Sequence, residues 1–398
     1  MLKYIGIAAN EFDTYLDYAF LSIVAIYLYN ATPVEMGGLG ACFALPFLFS
    51  SHFFGKLFDK GNIHQWRTLL FTINTITTPL LFLTGNIYGL FAIAFIKTGS
   101  RCGLSISNIK LNKNDDDSKR FFEIYGYLIN ISRVLVPLAV VYLYNLIGVW
   151  TIIIFSSALN LLSILTSQID LRLQDGMHAQ GADASGKSGT KYSFFNEMRA
   201  SKDLFYLVAG YTIANFAFYL SNDMLGLFFK YAGESENSIG IIISLLGVGG
   251  IIGTKLASLL NKKLRPVIIL MASMLINSIA FFIFGFLNPD LIAVYVFYFG
   301  IILIGISSGV TFFAIRLGVR EIIGYQNVGK ATGTIQLLSS VVAILMPMIG
   351  GYIASLYSLD VTFKLTSISL FVLLMAFFYV FYFSKQRREY YARSAKNE

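Results

Sequence analysis

The sequence predicts an all-α membrane protein with twelve transmembrane helices in two pseudo-symmetric six-helix bundles. Of its 398 residues, 56% are hydrophobic and only 13% are charged, whereas a soluble domain carries about 25% charged residues. A soluble chain of this composition could not cover its surface with polar groups, so lipid is expected to surround most of it. Despite a net charge of +8, the composition excludes a cytosolic enzyme, a secreted module and a nucleic-acid-binding protein.

Apolar segments long enough to span a membrane recur along the whole chain. A spanning helix needs about 20 mostly apolar residues, and short polar breaks separate such segments here. The twelve spans are predicted at 5–29, 34–57, 66–85, 87–111, 120–145, 149–168, 204–231, 237–260, 266–287, 290–317, 328–356 and 362–383. Because the breaks are short, consecutive helices are expected to be antiparallel.

The distribution of basic residues predicts the orientation. Most of the 30 Lys and Arg residues lie in the terminal segments, in the even-numbered loops and at the helix ends beside them. Cytoplasmic loops carry an excess of Lys and Arg. We therefore expect a multi-pass protein of the plasma (inner) membrane with both termini in the cytoplasm.

A long polar segment divides the twelve spans into two groups. Residues 170–203 predict a cytoplasmic linker, rich in Gly, Ala and Ser, between an N-terminal six-helix bundle at 1–169 and a C-terminal one at 204–398 with a short cytoplasmic tail. Phe194, Phe195 and Met198 predict a short amphipathic helix at the membrane surface. Residues 181–188 fit the phosphate-loop pattern, but no strand precedes them, so no ATP binding is expected.

The two halves repeat each other at an offset of about 200 residues. Three pairs of segments match in the same order: 55–62 with 253–263, 103–111 with 309–317, and 137–142 with 347–352. Secondary transporters use such repeats to build a binding site at the interface between their halves.

The segment Gly55-Lys-Leu-Phe-Asp59-Lys60, with Arg67 downstream, is similar to the loop signature of the major facilitator superfamily. The resemblance covers all twelve spans. It implies a conformational latch made of Gly55, Asp59 and Lys60, in which Asp59 faces the start of helix eleven, because a helix N-terminus attracts a carboxylate. It also implies alternating access, no cofactor beyond the proton gradient, and a monomer.

Proline and glycine residues in two helices indicate a narrower branch within the superfamily. Pro137 in helix five, and Pro347, Gly350 and Gly351 in helix eleven, are similar to the pattern of drug–proton antiporters. The layout resembles the macrolide-efflux and siderophore-exporter branches, which implies proton-coupled efflux.

Acidic residues inside helix one are the candidate proton-coupling groups. Asp13 and Asp17 share one stripe of the helix, and Glu11 flanks it. A charge at mid-membrane costs roughly 2.5–3.5 kcal/mol and is functional by default. We therefore expect Asp17, Asp13 and Glu11 to take up protons.

Three bases in the same half are the candidate partners of these acids or of an anionic substrate group. Lys97 and Arg101 lie one turn apart in helix four, and Arg133 lies in helix five. Arg133 and Asp17 lie at matching depth, so Arg133 is expected to approach Asp17 in one state of the cavity and withdraw from it in the other. The alternative is a structural ion-pair cluster, because three acids balance three bases.

Helix seven carries an aromatic and amide stripe that predicts substrate binding. Tyr211, Asn215, Tyr219 and Asn222 share one face, with Asp223 beside it. Such a wall opposite a charged wall suits a polar or amphiphilic organic molecule. The alternative is ordinary hydrogen bonding between helices.

Together these features predict proton-coupled export of a small polar or amphiphilic organic molecule, drug-like or siderophore-like. Two alternatives stay open, a proton-coupled nutrient importer of the same fold and a non-transporting membrane sensor or interaction protein. His52, His64 and His178 lack metal-ligand spacing, so neither a metal site nor catalysis is expected. The expected partners are the substrate, protons and the lipid bilayer, with no nucleic acid.

Overall fold

The computed structural model of the chain describes residues 2–60, 63–82, 85–111, 115–175, 193–323 and 328–394. These residues form helices joined by short connections, and none of them is in a β-strand. Eight of the helical segments are long and apolar enough to cross a membrane. The predicted all-α membrane fold is confirmed.

The N-terminal half consists of six long helices. They are α1 (Leu2–Ile23), α2 (Pro33–Lys60), α3 (Ile63–Thr77), α4 (Ile87–Leu111), α5 (Asp115–Ile147) and α6 (Val149–Asp175). A π-helical turn, Val24–Leu28, continues α1, and a 3₁₀ turn, Pro79–Phe82, continues α3. In the bundle α1 packs against α5 and α6, while α3 packs against α4 and α6.

The C-terminal half has the same plan, with one short additional helix and with its first span divided into two helices. Its helices are α7 (Phe194–Ala200), α8 (Lys202–Tyr219), α9 (Leu225–Tyr231), α10 (Asn237–Leu260), α11 (Pro266–Phe286), α12 (Val294–Ile323), α13 (Val328–Leu356) and α14 (Leu359–Ser394). The short helix predicted near 194–198 is present as α7. It buries Phe194 and exposes Phe195, as an amphipathic segment should.

The seventh span is broken, which the sequence did not predict. A 3₁₀ turn, Asn222–Met224, separates α8 from α9. Irregular backbone at membrane depth is tolerated where it is buried in protein or lines a cavity, and this turn lines the cavity described below. The bounds of α4, α10 and α13 coincide with the predicted spans.

The two halves meet along α2 and α13 and along α5 and α10. Glycine allows the backbones of α2 and α13 to touch. A Cβ atom on Gly37 would lie 2.3 Å from the Pro347 carbonyl oxygen, and one on Gly351 would lie 2.4 Å from the Pro33 carbonyl oxygen. These contacts lie at the end of the bundle that carries residues 29–33 and 232–236, hereafter the closed end.

A second glycine seam joins α10 to α12 within the C-terminal half. A Cβ on Gly253 would lie 2.1 Å from the Ile306 carbonyl oxygen, and one on Gly309 would lie 2.1 Å from that of Gly250. Small residues four apart let membrane helices approach backbone to backbone. The backbones of α10 and α12 are therefore in direct contact along this seam.

Replacing Gly253 by alanine should destabilise the protein, because its Cβ would overlap the α12 backbone. Overpacking of this kind costs about 1–3 kcal/mol. Gly333→Ala is the matched control, since no atom lies within 4 Å of the Cβ it would add. The thermal unfolding midpoint of purified protein should fall for Gly253→Ala and stay level or rise for Gly333→Ala. Equal midpoints would contradict the seam.

Candidate functional site

Four charged side chains from α1 and α4 form a buried ion cluster, made of Asp13, Asp17, Lys97 and Arg101. Lys97 Nζ lies 2.6 Å from Asp17 Oδ2 and 3.8 Å from Asp13 Oδ2. Arg101 Nη2 lies 3.0 Å from Asp13 Oδ2 and also contacts the Asp17 carboxylate. Three of the four side chains are fully buried, and that of Arg101 is 11% exposed. Two acids are thus balanced by two bases.

Helices α3 and α6 complete the coordination of the ion cluster. Ser156 of α6 donates a hydrogen bond to the Asp13 carboxylate, and Lys97 donates one to Thr78, just beyond α3. Arg101 also donates to the Asp13 carbonyl oxygen at 3.1 Å. A buried ion pair is tolerated only when such additional hydrogen bonds satisfy the charged groups. The cluster therefore binds α1 to three other elements of its own half.

A second polar level lies one helical turn from the ion cluster, on the side away from the closed end. Its three asparagines each lie one turn from a residue that forms or contacts the cluster: Asn10 from Asp13, Asn74 from Thr78 and Asn160 from Ser156. They are buried and carry amide atoms that no described residue pairs: Asn10, Asn74 and Asn160. Buried polar atoms almost always bond to protein or ordered water. This level is therefore suited to holding water.

Arg133 and Asp17 lie at matching depth but are not paired with each other in this structure, so their approach in another state stays a prediction. The Asp17 carboxylate is held by Lys97 and Arg101, whereas Arg133 faces α10, where a Cβ on Gly250 would lie 3.5 Å from its Nη1. Two side chains at the same depth in the membrane can project from helix faces that point away from each other. Glu11 is buried in α1 and is not one of the four members of the ion cluster.

A central cavity of about 460 Å³ lies between the two halves. Arg133 enters it from the N-terminal half and Asp223 from the C-terminal half, so both signs of charge face the same space. Asp223 sits at the break between α8 and α9, where Asn222 Nδ2 donates to its Oδ1 at 3.1 Å. Tyrosines and hydroxyl groups supply further polar lining: Tyr15, Tyr18, Tyr219, Ser308, Ser339 and Ser340.

An inner cavity of about 240 Å³ continues the central one inside the C-terminal half, between α8, α11, α12 and α13. The two cavities share lining residues, namely Phe218, Tyr219, Ser308 and Gln336. Tyr211 and Asn215 line the inner cavity, and Asn222 and Asp223 line the central one. The structure thus brings the predicted stripe of helix seven together along one continuous space.

Sequence reasoning missed Arg316, Asn277 and Gln336, which also line the inner cavity. Arg316 lies near the end of α12, so the sequence analysis counted it among the basic residues that indicate the orientation in the membrane. Asn277 gives a clearer signal, since it is a carboxamide within the apolar run of α11.

Hydrogen bonds between the halves seal the closed end. The Tyr27 hydroxyl lies 3.0 Å from the Glu234 carbonyl oxygen and 2.9 Å from that of Ser235. Lys230 Nζ donates to the Ile26 carbonyl oxygen at 2.5 Å and to Asn30 Oδ1 at 2.7 Å. These bonds tie the start of the α9–α10 connection to the π-helical end of α1.

Two sequence motifs fall outside what the structure describes. Gly55, Asp59 and Lys60 lie in the last turns of α2, but their side chains are outside the described set. The phosphate-loop match at 181–188 is outside the described residues. The conformational latch stays a prediction.

The described residues thus form a helical membrane fold with a polar cavity between two halves, which hydrogen bonds join at one end. Residues 207–397 match the family described as the Major Facilitator Superfamily, which covers the C-terminal half of the chain. No curated protein matches the sequence.

Solved structures extend the likeness to the whole chain. A bacterial homolog of the human lysosomal transporter Spinster, inward-facing and unoccupied, is 15% identical, with a TM-score of 0.71, and the match covers 95% of this chain and 96% of that one. The nucleoside transporter NupG is 12% identical with a TM-score of 0.72, covering 96% and 99%. The chain therefore shares the fold of these two transporters over nearly its whole length.

Lys230→Met should loosen the closed end, because it removes two hydrogen bonds between the halves while keeping a long side chain. Spin labels at positions 34 and 295, in a background with Cys42 and Cys102 replaced by alanine, report the separation of the halves at that end. The longer-distance population should grow in Lys230→Met. Lys364→Met is the control, since Lys364 pairs with Asp360 of its own helix at 2.9 Å. Identical distance distributions for both variants would contradict this role of Lys230.

Proposed function

We propose that this chain is a proton-coupled secondary transporter that exports a small polar or amphiphilic organic molecule by alternating access. The central cavity carries the proposal, because Arg133 and Asp223 face it from opposite halves and hydrogen bonds between the halves seal it at one end. Rocking the halves about such a cavity exposes its contents to each side in turn.

The orientation predicted from Lys and Arg places the closed end on the outer side of the plasma membrane. The cavity then opens toward the cytoplasm, the state in which an exporter takes up its substrate. This state is also the one in which an importer releases its substrate. Export therefore rests on the resemblance to efflux proteins and needs a direct test.

The ion cluster is the proposed proton site. Asp13 and Asp17 lie on the face of α1 that packs into its own half, whereas Tyr15 and Tyr18, on the neighbouring face, line the central cavity. A proton that neutralises one carboxylate leaves two cations facing a single anion, which favours a different position of α1. Since α1 also forms the cavity wall, proton binding and substrate binding act on the same element, as coupling requires.

The level of asparagines offers the proton a route that avoids the substrate. Water held by Asn10, Asn74 and Asn160 would connect the ion cluster with the cytoplasmic end of the N-terminal half. Proton and substrate would then travel through separate parts of the molecule.

Asp17→Asn should abolish proton-driven transport but leave substrate binding and downhill exchange in place. The substrate for this test is the metabolite whose distribution between cells and medium changes when the gene is deleted. Purified protein in liposomes with an imposed pH gradient gives the flux, and Asp360→Asn, at an exposed site, is the matched control. Full pH-driven flux in Asp17→Asn would show that this acid is structural.

The sign of the response to an imposed pH gradient decides between export and import. An exporter that exchanges its substrate for protons moves substrate toward the acidic side, and a symporting importer moves it away from that side. A sensor would show no flux under either gradient, with or without Asp17.

Asn74→Leu should slow proton uptake without weakening substrate binding, because leucine has a similar size but cannot hold water. Asn74→Ser, which keeps a polar group, should retain more of the rate. A pH-sensitive dye trapped in the liposomes measures proton flux directly. Equal proton flux in the wild type and the leucine variant would remove Asn74 from the route.

A further inference from the structure

Arg133 and Asp223 carry opposite charges into the central cavity, and no described residue neutralises either of them. Arg133 forms no hydrogen bond or ion pair within the part of the chain that the structure describes. Asp223 Oδ1 accepts a hydrogen bond from Asn222, while Asp223 Oδ2 has no donor among the described residues. A molecule that fills the cavity takes water away from both charges, and a desolvated charge without a partner is costly. The bound molecule must therefore supply a partner for each.

The two charges face a common region of the cavity. Tyr18 of α1 interacts electrostatically with both Arg133 and Asp223, although these two come from opposite halves and form no ion pair with each other. Their charges sum to zero, so a molecule with one charged group satisfies one of them and is repelled by the other. A molecule that carries both an ammonium and a carboxylate satisfies both.

A small apolar pocket of about 60 Å³ extends the central cavity toward the closed end. The pocket and the cavity share Asp223 and Tyr18 in their lining, so the Asp223 carboxylate lies where the two spaces join. Aliphatic side chains from both halves form much of the pocket wall, among them Ile26, Met36, Leu39, Leu225, Ile239 and Ile242. An apolar group beside a bound ammonium would leave water for this wall, which is favourable.

We propose that the central cavity binds an amphiphilic zwitterion, whose carboxylate pairs with Arg133, whose ammonium pairs with Asp223 and whose apolar part occupies the pocket. This inference rests on the proposed transport function and narrows its substrate class. A guanidinium can hold a carboxylate through two parallel hydrogen bonds, and an ammonium can donate to Asp223 Oδ2. Because each half supplies one charge, the bound molecule joins the halves across the cavity.

Three zwitterions that share a phenyl group test the proposal. They are phenylalanine, 3-amino-3-phenylpropanoate and 4-amino-3-phenylbutanoate, in which one, two and three carbon atoms separate the ammonium from the carboxylate. The analogues with a single charge are 3-phenylpropanoate and 2-phenylethylamine. The rise in the thermal unfolding midpoint of the purified full-length protein with probe concentration measures each affinity.

We expect at least one zwitterion to stabilise the wild type and to bind roughly 10- to 100-fold more tightly than either analogue with one charge. This is the gain expected for hydrogen bonds to a second charged group. The proposal is wrong if none of the three zwitterions binds, or if an analogue with one charge binds equally well.

Substitutions at the two charged residues assign the groups of the ligand. In Arg133→Gln the zwitterion should lose its advantage over 2-phenylethylamine, and in Asp223→Asn it should lose its advantage over 3-phenylpropanoate. A merely structural role of either residue would weaken all probes equally and would contradict the assignment, as would unchanged selectivity. Asp360→Asn is the control, since Asp360 is exposed and does not line the central cavity, and it should bind every probe as the wild type does.

The contribution of the apolar pocket is tested from both sides. Alanine, β-alanine and 4-aminobutanoate have the same charge spacings without the phenyl group, so each should bind more weakly than its phenyl counterpart. Ser22 lines the pocket, and Ser22→Leu should reduce this difference because the larger side chain occupies the space. Equal binding with and without the phenyl group would remove the pocket from the site.

The binding assay separates this proposal from the proposed function, because binding requires no transport. If a zwitterion binds through Arg133 and Asp223 but no compound crosses the membrane under a pH gradient, the site stands and the transport proposal fails. If flux is proton-driven but the analogues with one charge bind as tightly as the zwitterions, transport stands and the zwitterion assignment fails.

Discussion

Charges buried in a bundle surrounded by lipid must be neutralised inside it, and the rest of this structure depends on how that is done. Asp13 and Asp17 meet Lys97 and Arg101 in the middle of the N-terminal half, which fixes α1 against α4. Hydrogen bonds from neighbouring elements fix it further. Because α1 also contributes to the central cavity, and its π-helical end to the closed end, it connects three regions of the structure.

Glycine contacts serve two different purposes in the two seams. Between α10 and α12 they lie within one half, where the surrounding core keeps the helices together. Between α2 and α13 they join the halves at the closed end, where Gly37 and Gly351 meet the opposite backbone and Lys230 adds polar bonds. In the proposed alternating access, the first seam stays intact and the second is broken and remade.

The charged groups that line the cavity differ between its central and inner parts. The central part has charges of both signs, Arg133 and Asp223, while the inner part has Arg316 as its charged group. The broken seventh span makes this possible, since the turn between α8 and α9 brings Asp223 to the cavity wall. The ion cluster lies apart from both cavities, inside the N-terminal half, and none of its four members lines them.

The sequence by itself located the apolar spans, though not the break in the seventh, because the length of an apolar run sets whether a helix can cross a bilayer. It also identified the charges inside the membrane and the stripe on helix seven, because helical periodicity places residues on one face. Only the tertiary structure decided which groups meet. Asp17 pairs with Lys97 and Arg101 rather than Arg133, and Arg316 faces a cavity rather than marking a helix end. The depth of a side chain in the membrane follows from counting residues along one helix. Its partners depend on how the neighbouring helices are rotated about their axes, and only the packing of the helices sets that rotation.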